Sequence, residues 1–298
     1  MMPTRKNQIK GYLCILIAAS LWGFIGPFGK IAYSQGIAPL EVAFWRALMA
    51  WACFGIEALL LKKIVGISRR DILPLALFSL LCVAVLYGSY QVAVDQGGVA
   101  LASVLLYTAP AWVILLSRIV LGERITRDKL VALLLTVTGV VLIAMGQGST
   151  TSSTGGDTSL PLALITGLAS GFCYSLYYIL GKFFSDKYSA ATLFFYTLLP
   201  GACLLLPWFD FTDKSLQAWL SMALLALLST YGAYHFYYAG LRYIEAGRAS
   251  IIATFEPVVA ALAAWYWWDE LFAPTGYMGA GLIITAIIMV VKNKGKNR

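Results

Sequence analysis

The chain has 298 residues, 60% of them hydrophobic and only 12% charged, with a formal net charge of +8. Soluble domains carry roughly 45–50% apolar and 25% charged residues, so this composition excludes an ordinary soluble enzyme or binding module and assigns the chain to a bilayer. The basic surplus invites a nucleic-acid reading, but the order in which the charges fall argues against one.

Apolar runs of about 20 residues, each enough to cross a hydrocarbon core of about 30 Å, recur along the whole chain. Ten are expected, at about 11–34, 39–61, 72–93, 99–120, 129–146, 160–183, 189–209, 215–241, 247–268 and 274–291. Residues 1–20 mimic a signal peptide, with Arg5, Lys6 and Lys10 ahead of an apolar run, but that run continues through "LWGFIGPFGKIAYS" and is read as an uncleaved first span. The basic residues gather in alternate connections: the N-terminal tail, Lys62 to Arg70, Arg118 to Lys129, Lys182 with Lys187, Arg242 with Arg248, and Lys292 to Arg298. The opposite connections hold only Lys214. Positive charge retained on one side implies an even number of spans, cytoplasmic N- and C-termini and residence in the cytoplasmic membrane.

In chain order, the first span carries Trp22 and, near its outer end, Lys30, whose long side chain can snorkel to the interface or serve a solute. Arg46 lies about two turns inside the outer boundary of the second span, too deep to ignore, and reads either as a holder of a substrate carboxylate or as a tie to a neighbouring span. Glu41 and Glu57 stand near the two ends of that span and read as boundary residues. Tyr87 and Gln91 lie in the third span, and Tyr107 with Pro110 in the fourth. The polar stretch "GQGSTTSSTGGDTS" at 146–159 divides the chain near its middle and should face outward, so 147–159 is expected to be an extracytoplasmic linker. Lys182 ends the sixth span on the inner side, the inverted counterpart of Lys30.

In the eighth span Tyr231, Tyr234, His235 and Tyr238 share one broad side of a 3.6-residue helix. With Tyr87, Gln91 and Tyr107 they suggest a phenolic box able to stack on a ring or to hold an ammonium by cation–π attraction, although interhelical tyrosines also occur as plain packing. The ninth span holds Glu256 followed by Pro257. An acid near mid-bilayer costs roughly 3 kcal/mol, so it should face protein or a wet cavity, either handling protons or substrate or hydrogen-bonding a neighbouring helix. Pro110 and Pro257 each remove a backbone donor and mark kinks, hinges or bends. His235 is the sole histidine, and Cys14, Cys53, Cys82, Cys173 and Cys203 are scattered without metal spacing, so no metal or other cofactor is expected. There is no Walker-type phosphate loop, HExxH or GxSxG, which argues against ATP driving and against an enzyme.

The halves repeat. At a shift of 147 residues "ASVLLYTAPAWVILLSRIVLGE" (102–123) falls on "ASIIATFEPVVAALAAWYWWDE" (249–270) without a gap, matching Ala102 with Ala249, Ser103 with Ser250, Pro110 with Pro257 and Glu123 with Glu270. Tyr87 meets Tyr234 and Tyr90 meets Tyr237 at the same shift, while Ala109 stands opposite Glu256. Five spans per half is an odd number, so the second half enters the membrane inverted. The expected fold is therefore an all-α integral membrane protein of ten transmembrane helices, built as inverted five-helix repeats over 11–146 and 160–292.

The paired "AS…P…E" segments, followed by "LGERITRDK" and "WDELFAPTG", together with "SLWGFIGPFGK" and "PLEVAFWRALMAW", resemble the EamA-type domains of the drug/metabolite transporter superfamily. The resemblance spans nearly the whole chain. It implies a ten-helix carrier whose central cavity is lined mainly by helices 1, 3, 4, 6, 8 and 9, often an exporter of amino acids or other small metabolites. The expectation is thus a secondary transporter of a small organic solute, with protons as a candidate coupling ion. Anionic metabolites such as sugar phosphates are the alternative, and a channel is the less favoured one because no filter loop is visible.

Overall fold

The computed structural model describes residues 5–61, 66–146, 159–268 and 273–292. Lys62, Lys63, most of the 147–159 linker, Glu270 and the C-terminal Lys294, Lys296 and Arg298 lie outside these residues. All regular structure among the described residues is helical.

Spans 1 and 2 are Arg5–Tyr33 and Pro39–Leu60, and span 5 is Arg127–Gly146. The helical stretch Arg69–Leu106 is two helices joined at Gly98, whose φ of 81° and ψ of 162° are non-helical and turn the chain. That left-handed φ suits glycine, which lacks the Cβ that would clash there. Residues 69–97 therefore form span 3 and residues 99–120 span 4. Spans 6 to 10 are Leu160–Ser185, Ala190–Trp208, Leu216–Leu241, Ala246–Trp267 and Pro274–Lys292. The ten spans make a multi-pass membrane protein. Proline occupies the first turn at Pro39, Pro110, Pro161, Pro257 and Pro274, where its missing N–H costs nothing. Ser189 and Ser215 cap spans 7 and 8 by accepting from the amides of Thr192 and Ala218.

The irregularities repeat as the sequence does. Span 4 is interrupted at Tyr107–Thr108 and span 9 at Thr254–Phe255, equivalent positions at the shift of 147. Pro110 and Pro257 thus stand in the opening turn of a second helical segment in each span, just after a two-residue turn. Wide π-turns over Leu80–Val85 in span 3 and Leu225–Gly232 in span 8 overlap at the same shift. Span 1 alone breaks at Gly23–Phe24, while its counterpart, span 6, is continuous.

Packing follows the small residues. Spans 5 and 10 touch backbone to backbone, so that a Cβ added to Gly279 would lie 2.4 Å from the carbonyl oxygen of Gly139, and one added to Gly139 would lie 2.7 Å from that of Gly279. Without a hydrophobic drive between helices in lipid, such close approach is what holds a pair together. The centre is aromatic: Phe194 of span 7 packs 4.5 Å from Tyr234, and Tyr177 of span 6 lies 5.2–5.3 Å from Phe78, Tyr234 and Tyr237.

Two ends can be told apart. At the basic end Lys187 pairs with Asp71 at 2.9 Å, Arg242 donates to the carbonyls of Ser185 and Tyr188, and Lys182 donates to those of Leu241 and Ile244. At the other end Glu41, fully buried, holds Lys214 and accepts from the Thr212 hydroxyl at 2.8 Å. Glu41 is therefore an inter-span anchor as well as a boundary residue.

Candidate functional site

The interrupted spans meet spans 2, 3 and 6 around a polar core. Arg46 is 7% exposed; its guanidinium donates to the Tyr87 hydroxyl, lies 5.0 Å from that ring's centroid and also reaches the Tyr234 hydroxyl. A guanidinium is always charged and offers five donors in a rigid fork, so two phenol oxygens leave donors over for another acceptor. Tyr33 of span 1 and Tyr90 of span 3 flank it, Tyr33 keeping 43% of its surface accessible and Tyr90 sharing a 3.3 Å hydrogen bond with Ser103.

Glu256 is the first residue of the second half-helix of span 9. Its carboxyl accepts from the Tyr174 hydroxyl at 3.5 Å and is within hydrogen-bonding reach of Tyr107, and Tyr178 donates to Tyr174 at 3.3 Å. The break puts the positive end of a half-helix dipole at this carboxyl, a common arrangement where discontinuous helices meet at a transport site. Arg46 and Glu256 are close enough to act on each other electrostatically. A cation and a carboxyl from opposite halves thus lie near one another among tyrosine side chains. A crevice between the two helix interruptions, lined by Tyr107, Pro110, Tyr174, Tyr178, Ser250 and Thr254 among others, has no room for a water molecule.

Of the residues named from sequence, the structure brings together Tyr87, Tyr107, Tyr234, Arg46 and Glu256, with Pro110 and Pro257 beside the breaks. Trp22 is 4% exposed, with its ring 6.3 Å from Tyr234 and 5.4 Å from Tyr237. The proposed single box of phenols and imidazole requires correction. Tyr231 and His235 turn to Glu57 of span 2, the Tyr231 hydroxyl donating at 3.2 Å and His235 Nε2 lying 2.7 Å from the same carboxylate oxygen. Glu57, near the end of span 2, thus forms a polar trio with Tyr231 and His235. Neighbouring helical residues such as Tyr234 and His235 are 100° apart and cannot both enter a narrow chamber. Phe54 packs at a tilt against both Tyr231 and His235, with ring centroids 4.8 and 5.3 Å away. Tyr238 is buried against Phe194, with the Arg242 guanidinium 6.0 Å from its ring. Gln91 donates to Asp95 at 2.8 Å on an exposed surface, Lys30 is exposed, and Lys182 is committed to carbonyls at the basic end. Tyr238, Gln91 and Lys182 are thus engaged with partners other than Arg46 and Glu256.

Sequence reasoning missed Tyr33, Tyr90, Ser103, Tyr174 and Tyr178. The signal for the last two was present in "CYSLYY" (173–178), where Tyr174 and Tyr178 are one helical turn apart. It went unused because span 6 has no acid or base at that depth to draw attention.

A bundle of ten spans with paired helix breaks around a buried cation and carboxyl is the construction of a membrane carrier rather than of an enzyme or receptor. The sequence matches the EamA-like transporter family over residues 9–145 and again over 161–292, so the chain belongs to that family of transporters. It is 30% identical to an uncharacterized transporter of Archaeoglobus fulgidus, covering 94% of this chain and 95% of that one. It is 26% identical to a probable terminal-alkyne amino-acid exporter of Streptantibioticus cattleyicolor (94% and 93% covered). It is 25% identical to the riboflavin transporter ImpX of Fusobacterium nucleatum (96% and 99% covered). A solved crystal structure with 17% identity superposes with a TM-score of 0.77 over 94% of this chain and 95% of that one, a likeness of fold.

Proposed function

We propose that this transporter is a secondary carrier of a small zwitterionic, amphipathic solute, an amino acid or a close analogue, moved outward across the cytoplasmic membrane by alternating exposure of the Arg46–Glu256 chamber. The observation that carries this reading is the placing of a buried guanidinium with spare donors near a carboxyl of opposite character, both among phenols. A solute carboxylate can take the free donors of Arg46, an ammonium can sit at Glu256 against phenol faces, and an apolar side chain can lie along Tyr33 and Tyr90. Glu256 exchanges its proton as the solute enters or leaves, which would couple transport to a pH gradient. The two five-span repeats move as units, and the basic end faces the cytoplasm, as the charge distribution favours.

Phosphorylated anions fit the chamber less well. Lys182 is bonded elsewhere and a carboxyl stands beside Arg46, so a dianion would find one cation and one repelling neighbour. Relatives named for amino-acid export and for riboflavin transport add support for amphipathic organic solutes. The test is equilibrium binding to purified protein with a panel of aromatic amino acids, their decarboxylated amines and sugar phosphates. Tightest binding is expected for the amino acids. Binding confined to the phosphates would overturn the assignment.

A further inference from the structure

Tyr174 and Tyr178 stand one helical turn apart on span 6, and their hydroxyls run in line to the acid of span 9. Tyr178 donates to the Tyr174 oxygen at 3.3 Å, and Tyr174 donates to Glu256 at 3.5 Å. A phenol both donates and accepts, so each oxygen can give up one proton and take another. Both bonds are longer than the roughly 2.7–2.8 Å usual between hydroxyl oxygens, and a shift of under about 1 Å brings them there.

The pair lies on the basic side of the carboxyl. Span 9 starts at that end, so Ser250 and Thr254 come before Glu256 on the way in; span 4 finishes there, so Pro110 lies beyond its turn. With Tyr174 and Tyr178 these residues line the crevice that has no room for water. The Ser250 and Thr254 hydroxyls donate to Gly247 and Ile251 of their own helix, whereas the two phenols point toward the acid. Where water is excluded, a proton moving between Glu256 and the basic end must travel on side chains.

The acid and the hydroxyls also occur together. At the shift of 147 Glu256 falls on Ala109, and at the shift of 152 that pairs Lys30 with Lys182, Tyr174 falls on Trp22 and Tyr178 on Gly26. At these positions the first half has neither carboxyl nor hydroxyl, as expected of parts of one device rather than of three separate packing choices.

We propose that Tyr174 and Tyr178 form a proton relay that loads and unloads Glu256 from the basic end, apart from the path of the solute. On loading, the Tyr174 hydroxyl proton passes to a Glu256 carboxylate oxygen, Tyr174 takes the proton of Tyr178, and Tyr178 takes one from water admitted when the basic end opens. Both phenols end neutral, and the sum is one proton moved from water to the carboxyl. Unloading runs the same transfers backwards. Of the other groups facing Glu256, Tyr107 of span 4 hydrogen-bonds it, while Arg46 of span 2 and Tyr87 and Tyr90 of span 3 act on it through space. The inference rests on the reading of Glu256 as a proton carrier and names its route.

The test uses phenylalanine in proteoliposomes, with accumulation driven by an imposed pH gradient and counterflow without one measured on the same vesicles. Exchange of one solute for another needs no net proton, so counterflow reports the chamber alone. Tyr178→Phe keeps the ring beside Tyr237 and leaves Glu256 its bond from Tyr174. The ratio of gradient-driven to counterflow rate should nevertheless fall at least about tenfold, as when a proton carrier is removed. Tyr174→Phe should lower it as far, and Tyr178→Met replaces Tyr178→Phe if that variant folds poorly. An unchanged ratio in the Tyr178 variant, whether or not the absolute rates fall, would overturn the relay; a fall in Tyr174→Phe alone would then reduce Tyr174 to a hydrogen bond on the carboxyl. A wild type that performs counterflow but ignores the pH gradient would instead overturn the coupling role of Glu256, and the relay with it.

Discussion

Replacing Arg46 with Met examines the chamber most closely. The guanidinium is 7% exposed and holds the hydroxyls of Tyr87 and Tyr234, so its position is fixed before any solute arrives. If its remaining donors take a solute carboxylate, Arg46→Met removes a hydrogen bond to a charged group, worth about 1.5–3 kcal/mol, or roughly 10- to 150-fold in affinity. The same change strands two phenols and should lower stability by up to about 3 kcal/mol, so thermal unfolding without ligand must be measured alongside. Arg46→Lys keeps the charge but loses the fork and should recover only part of the affinity. The assay is calorimetric titration of phenylalanine and of phenethylamine, which lacks the carboxylate, against each folded variant. Phenylalanine should lose the stated factor while phenethylamine changes less than about threefold. Equal losses for both ligands would mean that Arg46 shapes the site without contacting the carboxylate, and the recognition scheme would fall.

Glu256→Gln should leave binding of phenylalanine within about tenfold and the fold intact, but remove the acceleration of uptake or release by an imposed pH gradient in proteoliposomes; a retained gradient response would clear Glu256 of proton coupling. Glu57→Gln should change solute affinity by less than about twofold, since Glu57 is engaged with Tyr231 and His235, against which Phe54 packs; a tenfold loss in the same titration would place that trio in the pathway. Gly279→Leu would force a side chain into the span 5 backbone, where a Cβ already stands 2.4 Å from the Gly139 carbonyl, and is expected to cost several kcal/mol and abolish monodisperse protein on size exclusion. Gly98→Ala meets no neighbouring atom but must adopt φ near 81°, so a loss of about 1–3 kcal/mol in thermal unfolding is expected from backbone strain alone.

Much of the architecture could be read from the residues because membrane constraints are strict. Each span needs its own apolar run, and basic residues mark one side, so the ten spans emerged from composition and charge order. The repeat of 102–123 at 249–270 foretold equivalent interruptions, and the breaks at Tyr107–Thr108 and Thr254–Phe255 fall at that spacing. The turn at Gly98 was visible only as a gap between apolar runs, since it depends on a φ that the neighbouring polarity does not announce. Arg46 and Glu256 stood out because charge is costly at depth, whereas Tyr174 and Tyr178 did not, because a tyrosine is unremarked in a bundle until a carboxyl comes near it. The partition of span 8 could not be read at all. Whether Tyr231 and His235 enter the chamber or leave it depends on Phe54 and Glu57, more than 170 positions earlier, and helical periodicity carries no information about that pairing.

The most direct measurement of the central claim is counterflow in proteoliposomes. Vesicles loaded with unlabelled phenylalanine and diluted into a trace of labelled phenylalanine should accumulate label transiently above equilibrium, with saturable kinetics, and Arg46→Met should remove the overshoot. Entry that is linear in concentration, shows no overshoot and ignores the unlabelled pool would contradict a carrier with one chamber exposed in turn to either side.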